Sequence, residues 1–230
     1  GEVHCEDALE WLAHGGAVPK NAFVFTSLPD VSEVREFAPT LAEWRAWFVK
    51  AAKAVLQALP PGGVAVFYQT DIRMPEVGHI SKAHLVLTAA AEMGDEVCLW
   101  WHKLVHFGSI DNPSCMSVQF THLLCFGRRA EGPGGSPVLD VGATLPDLIF
   151  RGQKPWGLKN SQRCMGANSV LVVLKWASRN LPGVNTVVDP FCGAGTVLAI
   201  ANAVGLDAVG VDLSTRRVKQ AQKLDGALLL

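Results

Sequence analysis

The chain has no surplus of charge. Its formal net charge is −1 over 230 residues, so no global basic field announces a polyanionic partner, although a local basic face would serve. No apolar run approaches the ~20 residues of a membrane span, and the first residues carry no signal-peptide pattern. There is no C-x-x-C pair. Cys5, Cys98, Cys115, Cys125, Cys164 and Cys192 are scattered and no histidine pairs with them. They read as reduced thiols of an intracellular protein, its compartment undetermined, and no metal site is expected. No internal repeat is found. What remains is a globular composition, 49% hydrophobic and 18% charged. Its length suits one α/β domain over residues 1–230.

The most informative stretch runs from Asn185 to Ser214. Thr186, Val187 and Val188 form a β-branched run that favours a buried strand. Asp189-Pro190 ends it, and Gly193-Ala194-Gly195 makes a tight turn. Thr196 is expected to cap an apolar helix that stops at Gly205. A second strand, Ala208 to Val211, ends in Asp212. This strand–turn–helix–strand–acid unit opens a nucleotide-binding α/β fold, in which an acid about 20 residues beyond the first glycine holds ribose hydroxyls. Two absences narrow the ligand. Leu198 stands where a dinucleotide fingerprint has its third glycine, and no lysine follows to cradle phosphate. The ligand should carry a ribose but no phosphate that needs the turn.

Asp189-Pro190-Phe191-Cys192-Gly193-Ala194-Gly195-Thr196 resembles the D-P-F-x-G-x-G-T signature of class I S-adenosylmethionine (SAM)-dependent methyltransferases, in the form typical of nucleic-acid amino-methyltransferases. The N-terminal part resembles the circularly permuted members of that group. A strand at Glu2–Cys5, then Glu6-Asp7-Ala8-Leu9, stands for their first motif. A strand at Ala22–Thr26, then Ser27-Leu28-Pro29-Asp30, stands for T-S-P-P-Y. The resemblance implies a mostly parallel seven-stranded sheet with one antiparallel strand, helices on both faces and permuted strand order. It implies SAM as cofactor. Asp7 would hold the adenine amino group, and Met165-Gly166 would meet the methionine end. Asp189, Phe191, Cys192, Gly193, Gly195, Thr196 and Asp212 would complete the cofactor site. Ser27 to Asp30 would line the site of methyl transfer. Leu28 replaces a proline, and Asp30 replaces the aromatic residue that stacks a flipped base. Asp30 reads either as an acceptor or general base, or as an ordinary loop carboxylate.

Between these ends, Pro39–Leu59 is a helix with a Thr40-x-x-Glu43 capping box, and its Trp44 and Trp47 read as core ahead of a base-stacking platform. Asp71 follows the strand Val64–Tyr68 and is either a site residue or a solvated turn. A helix is expected from Ser81 to Met93. In the strand Glu96–Val105, His102 and Lys103 either meet nucleic acid beside Trp100-Trp101 or belong to a structural strand. Arg151-Gly152-Gln153-Lys154-Pro155-Trp156-Gly157, with Lys159 and Arg163, forms either a nucleic-acid-binding patch or a solvated loop with one buried Trp. A helix is expected over Gln162–Leu181. Arg216, Arg217, Lys219 and Lys223 read as a solvated face.

The expected function is methyl transfer to nucleic acid, RNA ahead of DNA. The segment before the Gln162–Leu181 helix is too short for a large base-recognition module, so a partner subunit or RNA shape would supply specificity. The partners expected are nucleic acid and either another protein or a second copy of the chain, with no membrane. The rival readings are a methyltransferase of a small molecule or protein side chain, favoured by the neutral charge and by Leu28 and Asp30, and a non-catalytic SAM-fold subunit.

Overall fold

The computed structural model describes residues 1–15, 17–107, 118–130, 144–152 and 165–230. The chain runs β1 (Glu2–His4), α1 (Ala8–Ala13), β2 (Ala22–Thr26), α2 (Leu41–Ala58), β3 (Val64–Gln69), β4 (Ile72–Met74), β5 (Gly78–Ile80) and α3 (Lys82–Ala91). It continues through β6 (Val97–His106), β7 (Phe120–Arg128), β8 (Leu148–Phe150), α4 (Ala167–Asn180), β9 (Thr186–Asp189), α5 (Thr196–Ala203), β10 (Asp207–Val211) and α6 (Thr215–Ala221).

Among the described residues eight strands make one sheet, in the order β1-β10-β9-β2-β3-β7-β6-β8. Every neighbouring pair is parallel except those of β7, which runs antiparallel to both β3 and β6. The single antiparallel strand is as expected; the count of seven is one short. The additional strand, β8, is an edge strand of 3 residues. The hairpin β4–β5 forms a separate two-stranded sheet. Strands of three residues are too short to show alternation, so neither leaves a readable signal in the sequence.

The central strands are apolar throughout because both their faces are covered. In β2, Phe23 and Phe25 pack with α4 and α5, while Val24 packs with α2 and α3 on the other face. The same alternation runs through β3, with Val66 and Tyr68 on one face and Ala65 and Phe67 on the other. Helix α2 starts at a complete capping box between Thr40 and Glu43. It buries Trp44, Phe48, Ala51, Ala52, Val55 and Leu56. Helix α4 starts later than its apolar pattern suggests, with Gly166 as its N-cap.

Trp100 and Trp101 are adjacent, so a regular strand would send them to opposite faces. A register shift between Leu99 and Trp101 lets both pack on the same core. Trp101 meets Trp176 edge-on at 5.0 Å. Trp100 lies on Gly127, where an added Cβ would sit 2.2 Å from the indole Cε2. Gly127→Ala should therefore overpack this corner and cost about 1–3 kcal/mol. Urea denaturation measures it, and an unchanged midpoint would mean that Trp100 does not rest on that backbone.

Candidate functional site

Parallel strands end on one edge of the sheet, and the loops there enclose a cleft of about 1260 Å³. Two loops far apart in sequence form its centre, because β2 and β9 are neighbours. The Thr26 hydroxyl donates to Asp189 Oδ1 at 2.7 Å and ties the two strand ends together.

The first loop is Ser27-Leu28-Pro29-Asp30, and all four residues line the cleft. The Leu28 side chain is 2% exposed and belongs to the α2/α3 core. It anchors the loop from behind, where the resembled motif has a proline. The Trp44 indole donates to the Pro29 carbonyl at 3.3 Å. The Asp30 amide donates to Glu33 Oε2 at 3.0 Å. Arg217 of α6 holds Glu33 Oε1 at 2.5 Å and comes within 3.8 Å of Asp212. Arg217 is thus no solvated-face residue; it links the first loop to the second. The sequence could not pair it, since Glu33 lies 184 residues away.

Asp30 is no ordinary loop carboxylate either. Lys82 Nζ donates to its Oδ1 at 2.6 Å, and the lysine side chain is only 4% exposed. Asp71 is not a solvated turn. Its Oδ1 accepts from the Lys82 amide at 2.7 Å, and its Oδ2 meets His79 at 3.0 Å and His122 at 3.2 Å. Burial pushes the Asp71 carboxyl upward, but the bonds from His122 and His79 outweigh it and hold the group well below the usual range.

The second loop follows β9. Gly193 has φ +55°, and an added Cβ there would meet nothing within 4 Å, so its backbone is open to the cleft. Its amide donates to Asp212 Oδ2 at 3.1 Å, and the Ser214 amide donates to Oδ1 at 2.8 Å. Burial nonetheless raises the Asp212 carboxyl above its ordinary range. Gly195 has a different duty. With φ +84° it takes the N-cap position of α5, and an added Cβ would lie 2.6 Å from Cβ of Ala221. Its bareness admits α6, and it is absent from the cleft wall. Thr196 is the first helical residue and does not cap. It lines the cleft together with Asp189 and Phe191. Cys192 is buried, and burial beside Asp189 and Asp212 keeps its thiol protonated, as suits a small filler residue and not a nucleophile.

At one end of the cleft Asp7 caps α1, accepting from Leu9 and Glu10 through Oδ1. At the other lie Met165, Tyr68, Thr70 and Arg151. The Arg151 guanidinium stacks over Phe107 at 4.3 Å, and its Nε is buried without a hydrogen-bond partner among the described residues. Gly166 is bare because Arg151 crosses it, 2.0 Å from where a Cβ would be. Trp47 is only partly buried and lines the cleft with Phe37 and Phe191. It stands 5.6 Å from Phe37 and 6.1 Å from Phe191, so it belongs to the cleft as well as to the core.

His102 and Lys103 do not reach the cleft wall. His102 bonds to His122 at 2.9 Å, and burial lowers its imidazole. Lys103 pairs with exposed Asp147 at 2.6 Å. Lys154, Trp156, Lys159 and Arg163 lie outside the described residues. Glu33, Lys82, Tyr68, His79 and His122 belong to or brace the cleft although the sequence does not single them out, whereas Arg151, read as part of the basic patch, lines the cleft instead.

No protein-family model matches the chain, and no curated protein matches it. Solved structures do. TTHA0409 of Thermus thermophilus, a candidate DNA modification methylase complexed with S-adenosyl-L-methionine, superposes with a TM-score of 0.65 at 19% identity, over 99% of this chain and 94% of that one. The PvuII DNA methyltransferase (cytosine-N4-specific) gives 0.68 at 19% identity, covering 97% and 86%. The M1.HpyAVI–SAM complex gives 0.56 at 13% identity, covering 96% and 97%. The fold is theirs. It is the Rossmann-like α/β fold of class I methyltransferases, with a large, mostly parallel sheet. Among the described residues no helix is long and apolar enough to cross a membrane.

Burial lifts the Asp189 carboxyl from 3.8 to about 7, against the Thr26 hydrogen bond that lowers it. Between those values the folded chain binds more proton than the unfolded one. Stability from this group therefore falls as pH rises through that window. Asp189→Asn keeps an acceptor for Thr26 and should flatten that fall, giving a more stable protein at about pH 8 than wild type. Denaturation at about pH 5 and about pH 8 tests this, and parallel pH dependence in the two proteins would contradict it.

Proposed function

We propose that the protein is a SAM-dependent methyltransferase acting on nucleic acid. One observation carries the reading: a single cleft joins the Ser27–Asp30 loop to the open Gly193 turn and to Asp212. A donor held on one loop and an acceptor on the other would meet where Thr26 ties them together. The neighbours favour the same reading, because TTHA0409 and M1.HpyAVI were solved with SAM and the PvuII enzyme is a DNA methyltransferase.

The residues present fit this cofactor. Gly193 leaves its backbone bare to the cleft. Asp212 keeps lone pairs for ribose hydroxyls after accepting two backbone amides. Asp7 takes the adenine end and Met165 the methionine end; Gly166, covered by Arg151, is not on the cleft wall. Arg151 supplies a cation there for a carboxylate. The bound cofactor supplies an electrophilic methyl group on a sulfonium. The protein orients the acceptor. Ser27 and Asp30 take its hydrogen bonds, and the Pro29 ring stiffens the loop. Trp47 and Phe37 offer aromatic surface for a base where the acceptor loop has none.

The substrate is the finer question. The PvuII enzyme is cytosine-N4-specific on DNA, which favours an amino group of DNA. The short segment before α4 points to RNA instead. Labelled SAM offered with duplex DNA, single-stranded DNA, RNA and small amines, followed by mass spectrometry of the nucleosides, decides it. Methyl transfer to small amines alone would overturn the nucleic-acid reading.

Calorimetry tests the cofactor. Asp212→Ala should weaken binding of S-adenosylhomocysteine by on the order of 100-fold. Arg151→Met should weaken it at least tenfold yet leave 5′-methylthioadenosine, which lacks the carboxylate, unchanged. Full-strength binding by both variants would sink the assignment.

A further inference from the structure

Lys82 breaks two rules of placement at once. It is the first residue of α3, where the positive end of the helix disfavours a cation. Its side chain is 4% exposed, and burying an ammonium is costly unless it is paired. Two contacts compensate. Asp30 Oδ1 accepts from Nζ at 2.6 Å, and the Phe48 ring lies 5.9 Å from it. The lysine backbone is fixed as firmly. Its amide donates to Asp71 Oδ1, and Asp71 is in turn gripped by His79 and His122. Lys82 therefore projects from a braced helix end onto one oxygen of a cleft carboxylate.

The other oxygen of Asp30 is the significant one. Oδ2 has no hydrogen bond among the described residues, and the side chain is 30% exposed in the cleft wall. We infer that Lys82 is a positioning residue that aims Asp30, and that the bare Oδ2 takes a hydrogen bond from the group to be methylated. The inference rests on the methyltransferase reading above. It assigns the acceptor pocket a grip on the edge of the acceptor through a fixed carboxylate. Stacking on its face is left to the aromatic wall of Phe37 and Trp47. The carboxylate alone would be free to rotate in the cleft. The lysine removes that freedom, and misplacement by about 1 Å is enough to cost on the order of 100-fold in rate.

The test uses Lys82→Met, Lys82→Arg, Asp30→Asn and the double variant Lys82→Met/Asp30→Asn. Stability reads the pair without any activity. Asp30→Asn leaves Nζ an acceptor oxygen but removes the negative charge that compensates the buried ammonium, and should lower Tm. Lys82→Met leaves Asp30 to solvent and should not. The double variant should recover the Tm lost in Asp30→Asn. An Asp30→Asn protein as stable as wild type would show that Asp30 is not the partner, and would overturn the inference. Turnover then reads the role. Lys82→Met should lose on the order of 100-fold in kcat with its affinity for S-adenosylhomocysteine unchanged, and Lys82→Arg should recover most of that loss. The double variant should be no slower than the worse single variant, the mark of residues acting as one unit. If wild type methylates nucleic acid and Lys82→Met is equally fast, the inference falls alone. If wild type transfers no methyl group to nucleic acid, the functional reading falls and takes this inference with it.

Discussion

The cleft depends on one hydrogen bond between residues 163 positions apart, from the Thr26 hydroxyl to the Asp189 carboxylate. Thr26 is fully buried and Asp189 nearly so. A carboxylate in that place is costly, and the raised Asp189 pKa records the cost. The bond offsets part of it and fixes the ends of β2 and β9 against each other. The Ser27–Asp30 loop leaves one of these ends and the Gly193 turn leaves the other. Their relative position is therefore set inside the sheet, below the reach of solvent, and the Arg217 bridge between Glu33 and Asp212 reinforces it above.

The same need for partners governs the other acids of the cleft. Parallel topology gathers strand ends and helix starts on one edge, so backbone amides are plentiful there. Asp7 takes amides of α1, Asp71 takes amides of α3, and Asp212 takes those of Gly193 and Ser214. Side-chain cations serve where the amides run out, Lys82 for Asp30 and Arg217 for Glu33. Each cation then joins two elements that the sheet alone would leave independent. Lys82 couples α3 to the loop after β2. Arg217 couples α6 to that loop.

Legibility from sequence follows the distance between partners. The strand, turn, helix and acid between Thr186 and Asp212 are contiguous, and local rules place them to within a residue or two. The capping box of α2 is contiguous as well. By contrast, Lys82 meets Asp30 across 52 residues and His122 meets Asp71 across 51. Nothing in the spacing of a lone lysine or histidine announces such a partner. Gly195 shows the reverse error. Its place in the signature suggests room for a ligand, whereas the atom it would crowd belongs to Ala221. Helical spacing assigns Trp47 to the core, but spacing does not say where the core ends and the cleft begins.

Leu28 and Asp30, the two departures from the resembled loop, are best understood together. A proline in place of Leu28 would stiffen the backbone by fixing φ. Leu28 instead drives a side chain into the α2/α3 core, where it is 2% exposed. With Trp44 bonded to the Pro29 carbonyl and Glu33 accepting the Asp30 amide, the loop is held by packing and hydrogen bonds from behind and from one side. An aromatic residue at position 30 would need no such bracing, because stacking tolerates some sliding of one ring over another. A carboxylate does not have that tolerance, since a hydrogen bond weakens steeply once its angle departs from linearity. In the proposed role Asp30 would therefore demand a more rigid loop than an aromatic residue, and Leu28, Trp44, Glu33 and Lys82 each brace it.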